Sequence, residues 1–391
     1  MSARDALDRL RLSMLVEPGD ARVCDLLSTH PAGRVVEACV TGRSLPGGIV
    51  LGGGLPEPWV TRARAGAADA AADLLADARR RGLRWVCPGG AEWPAGLDDL
   101  DLGRPVNGAR GAPLGVWVRG GRLDELVARS VAVVGARDGT TYGTEVAGDL
   151  GADLADAGVC VVSGAAFGID AAAHRGAMSM RGTTVAVLAC GVDVDYPRAH
   201  AGMLGLVAET GAVVSEQLPG QGPTKARFLS RNRLIAALSQ GTVVVEAARR
   251  SGALNTLNWA TSIARVTMGV PGPVTSRASV GVHQALREGQ VIVVTNGREV
   301  IEAVSPVGTL DTTPASAPAT ALDALPSGAR MVLEAVPTGD GADVVSLARH
   351  LGARPEDVGV VLDDLLAQGW VGVVDGRWSL ARRADLSPPV G

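Results

Sequence analysis

Short apolar runs alternate with amphipathic segments through the middle of the chain, from residue 131 to about residue 304. The runs are rich in β-branched residues, and the segments between them repeat apolar positions at helical spacing. Near-continuous apolar strands that alternate with helices are typical of a parallel sheet covered on both faces, so the pattern predicts a doubly wound α/β fold. The predicted strands are Ser130–Val134, Val159–Val162, Thr183–Leu188, Ala212–Ser215, Thr242–Glu246, Arg265–Val270 and Val291–Thr295.

Upstream of these strands, residues 1–65 have leucines and valines at helical intervals, interrupted by a turn at Glu17-Pro-Gly-Asp. This predicts a small helical domain with a helical hairpin, more typical of a structural cap than of a DNA contact. Residues 66–130 contain an alanine-rich helix and two strand-like pieces, Leu83–Cys87 and Gly115–Arg119. We interpret them as an extension of the central domain, which then spans residues 66–305 as an extended Rossmann-like, mostly parallel sheet.

The C-terminal part begins with a linker at residues 306–327, rich in Pro, Ala, Thr and Ser. Residues 328–391 then predict three helices and a hairpin around Asp375-Gly376, the pattern of a winged helix. The third helix carries Glu356, Asp357, Asp363 and Asp364, which phosphate would repel. The pattern therefore favours a protein contact over DNA binding for this domain.

Composition narrows the function classes. With 391 residues, 47% hydrophobic content and a formal net charge of −4, the chain is no generally basic nucleic-acid binder, so anion binding requires local clustering of cations. The five cysteines are odd in number and form no CxxC pair, which predicts reduced thiols in a cytoplasmic protein. We expect no membrane span, because no apolar run approaches the required length.

Cations do cluster in Lys225-Ala-Arg-Phe-Leu-Ser-Arg-Asn-Arg233. Between Gln217 and Val245 there are four cations and no acid, and Lys225 is the only lysine of the chain. Ser230 is a good N-cap, so we expect a helix to begin near Arg231, with two arginines in a first turn where the helix dipole disfavours cations. An anion bound at this helix N-terminus would resolve the conflict, as would acids from elsewhere in the chain.

Two further residues favour a nucleic-acid strand as the anion. Phe228 lies amid the cations, which is typical of proteins that stack a base and pair its phosphates. Its alternative role is to pack on the new helix as a hydrophobic staple. Arg137 follows the first central strand, in Gly135-Ala-Arg137, and carboxyl ends of parallel strands are where such sheets bind ligands. It is therefore a phosphate candidate rather than a structural arginine.

Other motifs are more typical of structural roles than of a functional site. The turn after the first strand lacks the GxGxxG spacing, which disfavours a nicotinamide cofactor. Asp170 and His174 have the spacing of a structural helix pair, and two aspartates beside Tyr196-Pro197 are more typical of a turn than of a metal site. No nucleophile, base and oxyanion donor are brought together. We therefore predict a binding protein with no catalytic residue, metal or cofactor.

The central residues closely resemble the DprA/Smf family of DNA-processing proteins. The resemblance extends in order over about 170 residues. Its motifs are Gly135-Ala-Arg137 with Tyr142-Gly143, Ser163-Gly-Ala-Ala-Phe-Gly-Ile-Asp170 with His174, Gly191 through Tyr196-Pro197, Ser215-Glu216, Phe228 through Arg233, Val245-Glu-Ala247, Ser251-Gly252 and Pro271-Gly272.

This resemblance implies a cytoplasmic homodimer that binds single-stranded DNA, protects incoming strands during transformation and helps to load RecA. It implies that Arg137 and Lys225 contact phosphate and that Phe228 meets a base. The full set of nucleic-acid-binding residues that it implies is Gly135, Arg137, Ser163, Gly164, Lys225, Phe228, Arg231, Asn232 and Arg233.

Two positions depart from the family pattern, since Ala136 replaces a serine and Leu229 replaces the proline after Phe228. Two alternatives also stay open. One is a nucleotide phosphoribohydrolase on a related fold, whose PGGxGTxxE motif the stretch Ser239–Glu246 matches only faintly. The other is a scaffold protein that works through the acidic winged helix and binds no DNA.

Overall fold

A computed structural model of the protein describes residues 2–43, 45, 54–306, 321–322 and 324–381. The chain divides into two compact units, residues 1–310 and residues 311–391. Among the described residues, no helix combines the length and the apolar character needed to cross a membrane.

A nine-stranded sheet organises the first unit. Its spatial order is β1-β2-β6-β5-β4-β3-β7-β8-β9, and the seven strands from β6 to β9 in that order are parallel. At one edge, β2 and then β1 join through antiparallel pairing. The strands are β1 (Arg84–Val86), β2 (Val116–Gly120), β3 (Ser130–Val134), β4 (Cys160–Ser163), β5 (Thr184–Leu188), β6 (Ala212–Ser215), β7 (Gly241–Val244), β8 (Val266–Gly269) and β9 (Ile292–Val293). The predicted mostly parallel α/β sheet is confirmed.

Helices cover both faces of this sheet, because alternate strand residues point to opposite sides. In β3, Val131 and Val133 join one apolar core, and Ala132 and Val134 join the core on the other side. The helices of the unit are α1 (Ala3–Ser13), α2 (Ala21–Leu27), α3 (Ala32–Thr41), α4 (Glu57–Arg64), α5 (Ala71–Arg80), α6 (Leu123–Val127), α7 (Thr141–Asp156), α8 (Ile169–Ser179), α9 (Ala201–Thr210), α10 (Lys225–Ala237), α11 (Gly252–Ser262), α12 (Val280–Arg287) and α13 (Gly297–Val304).

The N-terminal helices share a core in which Leu12, Val35 and Trp59 are buried. Leu10 of α1 packs instead with Trp117 of β2, so these helices are joined to the sheet within one compact unit. Their status as a domain of their own stays a prediction. The sequence from Leu45 to Pro58 is rich in Gly and Pro, which predicts a loose junction, and it lies partly outside the described residues.

The position of α10 follows from the strand order. The chain runs outward from β3 through β4 and β5 to β6, and α10 then carries it back to β7 on the other side of β3. Such a reversal leaves a crevice at the carboxyl ends of the strands, where doubly wound sheets bind ligands. The residues of α10 therefore lie beside the loop that follows β3.

In its described residues, the second unit contains three helices and a hairpin, which are the elements that the sequence predicts. They are α14 (Ser327–Ala335), α15 (Val344–Leu351), α16 (Pro355–Ala367), β10 (Val371–Val374) and β11 (Arg377–Leu380). Leu333, Leu347, Leu362 and Trp378 contribute to their common core. The winged-helix interpretation stays a prediction, and most of the predicted linker lies outside the described residues.

Candidate functional site

The predicted start of α10 near Arg231 is wrong. The helix begins at Lys225, and its N-cap is Thr224, whose hydroxyl accepts a hydrogen bond from the Arg227 N–H at 3.3 Å. The hydroxyl of Ser230 donates to the Arg227 carbonyl instead, so this serine lies inside the helix. Because Leu229 has the N–H that a proline lacks, nothing prevents the helix from starting this early.

The cations that the helix dipole disfavours are therefore Lys225 and Arg227 rather than Arg231 and Arg233. The first turn holds no acid and contains Lys225 and Arg227. The Arg227 guanidinium lies 3.4 Å from the Glu17 carboxylate, which compensates it. The exposed Lys225 has no ionic partner among the described residues, so it is the cation of this turn that remains available to an external anion.

Arg233 is not available in this way, which corrects its predicted role as a nucleic-acid contact. Its side chain is fully buried and forms a bidentate ion pair with Glu216, with N–O distances of 2.6 and 2.7 Å. It also donates to the carbonyls of Gly111 and Ser230. These bonds hold α10 to the loop after β6, so Arg233 is structural.

Asn232 has a structural role as well. Its amide donates to the Gly252 carbonyl and to the Asn255 side chain at 3.2 and 3.1 Å, and both partners belong to α11. The residue is 7% exposed and still reaches the lining of the cleft. It therefore fixes one wall of that cleft.

The end of β3 and β4 holds an anion that belongs to the protein itself. The buried Asp170 carboxylate accepts a hydrogen bond from the Gly164 backbone N–H at 3.1 Å, and the backbone N–H groups of Ala166 and Gly135 also favour its charged form. Burial raises the pKa of the Asp170 carboxyl, and the nearby Arg231 guanidinium opposes that shift most strongly. The Gly164 N–H is therefore not free for an external phosphate while Asp170 accepts from it. Gly135 lines the cleft, and its contact with a phosphate stays a prediction.

Arg231 is the cation that acts most strongly on the charge of Asp170. Its guanidinium donates to the Val187 carbonyl at 2.9 Å, and burial lowers its pKa to about 10. A Cβ added at Gly164 would overlap this guanidinium, so the glycine is needed for the close approach. Ser163 is equally internal, since its hydroxyl donates to the Val133 carbonyl at 2.6 Å and its side chain is fully buried.

The Asp170–His174 pair that the sequence predicts does not form. His174 is fully buried, and its Nδ1 lies 2.7 Å from the hydroxyl of Thr184. Burial is the main reason that the pKa of His174 is lowered to about 3. The histidine is therefore a neutral core residue, and the cation that acts on Asp170 is Arg231 of α10 rather than His174 of its own helix.

An aromatic ring and an exposed cation meet in the same region. The Arg137 guanidinium carbon lies 4.5 Å from the centroid of the half-buried Phe228 ring, within range of a cation–π interaction. Arg231 lies 6.0 Å from the same ring. Tyr196 packs beside it with a centroid distance of 5.7 Å and an interplanar angle of 51°. Phe228 therefore has fixed neighbours and an incompletely covered ring.

These residues line one cleft of about 990 Å³. It brings together the predicted residues Gly135, Arg137, Lys225, Phe228, Arg231 and Asn232. Ser163, Gly164 and Arg233 lie outside its lining. Sequence reasoning did not assign Tyr196 and Arg277 to the site, although both line the cleft. Tyr196 belongs to a quoted family motif, which is the signal that could have included it.

A second cavity, of about 400 Å³, lies between the N-terminal helices and the loops around Asp98 and Gln217. Its cations are largely paired with its own acids, since Arg62 and Arg227 both contact Glu17 and Arg110 contacts Asp25. Paired charges of this kind leave little net attraction for a ligand. The larger cleft is the better candidate.

The faint match to an enzyme motif at Ser239–Glu246 also has a structural explanation. The Glu246 carboxylate is buried and accepts hydrogen bonds from the Thr140 N–H and hydroxyl, at 2.9 and 2.6 Å. It thereby fastens the end of β7 to the start of α7. Among the described residues, no group of three or more His, Cys, Asp or Glu side chains is placed to hold a metal ion.

Comparison with known proteins gives consistent matches across this unit. The family model described as DNA recombination-mediator protein A matches residues 84–305. A Mycobacterium tuberculosis protein assigned as a DNA processing protein, DprA, is 44% identical over 320 residues, which cover 80% of this chain and 81% of the relative. Protein Smf of Escherichia coli is 37% identical over 183 residues, or 46% of this chain and 49% of that protein.

A solved structure agrees with these matches. The X-ray structure of DNA processing protein A (DprA) from Streptococcus pneumoniae aligns with a TM-score of 0.61 and 26% sequence identity. The alignment covers 77% of this chain and 98% of the pneumococcal chain. The similarity therefore extends well beyond the short motifs at the cleft.

Proposed function

Because this chain belongs to the DprA/Smf family, the DNA recombination-mediator A proteins, we propose that it binds single-stranded DNA in the cleft beside α10. In this proposal, Arg137 and Lys225 contact phosphates, and Phe228 stacks on a base. Arg231 acts from beneath the ring and holds the cleft in shape. The bound strand would lie across the carboxyl ends of β3 and β7.

One observation carries the proposal, namely the Arg137 guanidinium 4.5 Å from the Phe228 ring with Lys225 open on the same cleft. Nucleic acid offers phosphates and flat bases at short, regular intervals, and these groups are complementary to such a pair. The cation–π contact also keeps both side chains in place before the strand arrives. Ordering costs on binding are thereby reduced.

The same observation favours single strands over duplexes. A ring that stacks on a base needs a base face that is free, and in a duplex the neighbouring base pairs cover these faces. The Gly164 N–H at the end of β4 is used internally by Asp170. The proposed contacts to phosphate therefore come from side chains on the rim of the cleft.

Family membership supports the finer parts of the proposal. We propose that the protein acts in the cytoplasm as a homodimer, protects incoming single strands during transformation and helps to load RecA onto them. A recombination mediator must hold its strand without sequence preference, and contacts to phosphates and to base faces have that property. Measuring the mass in solution would test the dimer, and RecA filament assembly on bound strands would test the loading.

Oligonucleotide binding tests the central claim. Wild-type protein should bind labelled single strands more tightly than duplexes of equal length, with affinity that falls as salt rises. An Arg137→Ala/Lys225→Ala variant should bind all sequences more weakly, and its log–log salt slope should be shallower by about 1.4, because each single-strand phosphate contact contributes about 0.7.

The matched control is Arg79→Ala/Arg104→Ala, which removes two exposed cations that lie outside the cleft. Its affinity and salt slope should stay close to those of the wild type. Equal binding by the cleft variant and the wild type would show that the site is wrong. Failure of the wild type to bind single strands would refute the proposed function.

A further inference from the structure

The phenyl rings of this protein are distributed in an unusual way. The chain has only two phenylalanines and two tyrosines, and none of the four belongs to an apolar core cluster of the described residues. Tyr142, Phe167 and Tyr196 are 37%, 49% and 41% exposed, and Phe228 is half-buried. The cores use leucine, valine and tryptophan instead. Burying an aromatic ring stabilises a fold, so rings kept at the surface need another explanation.

Phe167 lies at the margin of the cleft. It belongs to the loop between β4 and α8, and the preceding residue, Ala166, lines the cleft. The following residue, Gly168, has a φ of +75°, and a Cβ there would overlap the carbonyl oxygens of Ala136 and Arg137. This close packing sets the Phe167 loop directly against the loop that carries the proposed phosphate contact.

The exposed ring of Phe167 is also held in one orientation. It meets the His200 ring with a centroid distance of 4.7 Å and an interplanar angle of 64°. His200 is 8% exposed, and its Nδ1 lies 3.0 Å from the carbonyl oxygen of Ala165 in the same loop. A ring that is half exposed yet fixed from below presents a surface for stacking with little entropy to lose.

A single short segment connects this ring to the cleft. Tyr196, which packs on Phe228, and His200, which packs on Phe167, are only four residues apart. Between them lies Arg198 in a short 3-10 helix, Arg198–His200. Arg198 is exposed and forms no ion pair among the described residues. The segment therefore places an available cation along the chain between Tyr196, which packs on the ring of the cleft, and His200, which packs on Phe167.

From this geometry we propose a second subsite for the same strand, formed by Phe167, Arg198 and Tyr196. A further base stacks on Phe167, and Arg198 contacts the phosphate between this base and the one at Phe228. The inference rests on the proposed function and deepens it, because it gives the bound strand a path out of the cleft toward the β4–α8 loop. Bound bases are then contacted at two places instead of one.

The test compares two ligands of about 20 nucleotides, oligothymidine and an abasic strand with the same phosphates. Phe167→Ala should weaken oligothymidine binding by about five- to tenfold, and Phe167→Trp should restore it, because an exposed stacking contact accounts for a factor of this size. Neither change should alter binding of the abasic strand. Arg198→Ala should weaken binding of both ligands, because phosphates are common to them.

Leu102→Ala is the matched control, since Leu102 is an exposed apolar residue of the same unit that lies outside the cleft. The subsite is refuted if Phe167→Ala binds oligothymidine as the wild type does, while Phe228→Ala weakens binding. An equal loss on the abasic strand would also overturn it, since stacking requires bases. If the wild type binds neither ligand, the proposed function itself fails.

Discussion

Two helices of equal length carry charge of opposite sign and use it differently. Both α10 and α16 have 13 residues. Between its ends α10 has four cations and no acid, and α16 has four acids and no cation. In α10, two of the arginines are buried with internal partners, whereas all four acids of α16 are exposed. Burial therefore decides what a cluster of charges does.

The difference has a physical origin in packing. As a crossover between the two halves of the sheet, α10 is buried without interruption from Ser230 to Ala237. Charges in that stretch must have partners, because an unpaired buried charge is costly. In contrast, α16 buries only Val358, Leu362 and Leu365 along one stripe, and water solvates the acids opposite. Solvated charges repel phosphate without stabilising or destabilising the fold.

The largest expected effect compares one ion pair from each helix. Arg233→Ala removes the fully buried partner of Glu216, and we expect a loss of about 3–5 kcal/mol in the free energy of unfolding. Arg354→Ala removes an exposed partner of Asp357, and we expect no measurable change. Thermal and denaturant unfolding of both variants would measure this difference. Equal stabilities would contradict the structural role of Arg233.

A smaller effect is expected on binding. Lys225→Glu inverts the available cation of the α10 first turn, and we expect single-strand affinity to fall by roughly tenfold or more at low salt. Changing Glu356, Asp357, Asp363 and Asp364 to the corresponding amides should change affinity by no more than about twofold, because the proposed cleft contains none of them. A large gain in affinity for the amide variant would assign DNA contact to α16 instead.

The smallest effect concerns a departure from the family pattern. Ala136 is half-buried and lines the cleft beside Arg137. Ala136→Ser supplies the hydroxyl donor that the family pattern has, and we expect single-strand affinity to rise by about two- to fivefold, the value of one net hydrogen bond. Titration of labelled strands at fixed salt would resolve this change. Weaker binding would indicate that the position serves packing alone.

Much of the fold was predictable because it depends on local pattern. Valine-rich runs and helical spacing are visible in the sequence, and the predicted strands of the central sheet are present. Family membership was also predictable, since the motifs recur in order, and the comparisons confirm it. These features need no knowledge of which distant residues meet.

The features that the sequence does not predict depend on contacts between residues that are far apart in the chain. Ser230 fits the N-cap position by sequence, but Thr224 after a proline is an equally good candidate and is the actual N-cap. Arg233 and Lys225 are alike in the sequence, because nothing local indicates that Glu216 lies within hydrogen-bond distance of Arg233 and not of Lys225. The carboxylate of Asp170 likewise comes under the influence of the Arg231 charge only in the folded sheet.

Most tryptophan rings are buried, whereas the phenylalanine and tyrosine rings lie outside the apolar cores. This difference has a practical consequence for fluorescence spectroscopy. None of the seven tryptophans lines the cleft, and five of them are at most 9% exposed. The fluorescence emission of the tryptophans should therefore change when the protein unfolds and change little when a strand binds. The Phe167→Trp variant would instead have a fluorophore at the proposed exit of the strand, where stacked bases quench its fluorescence.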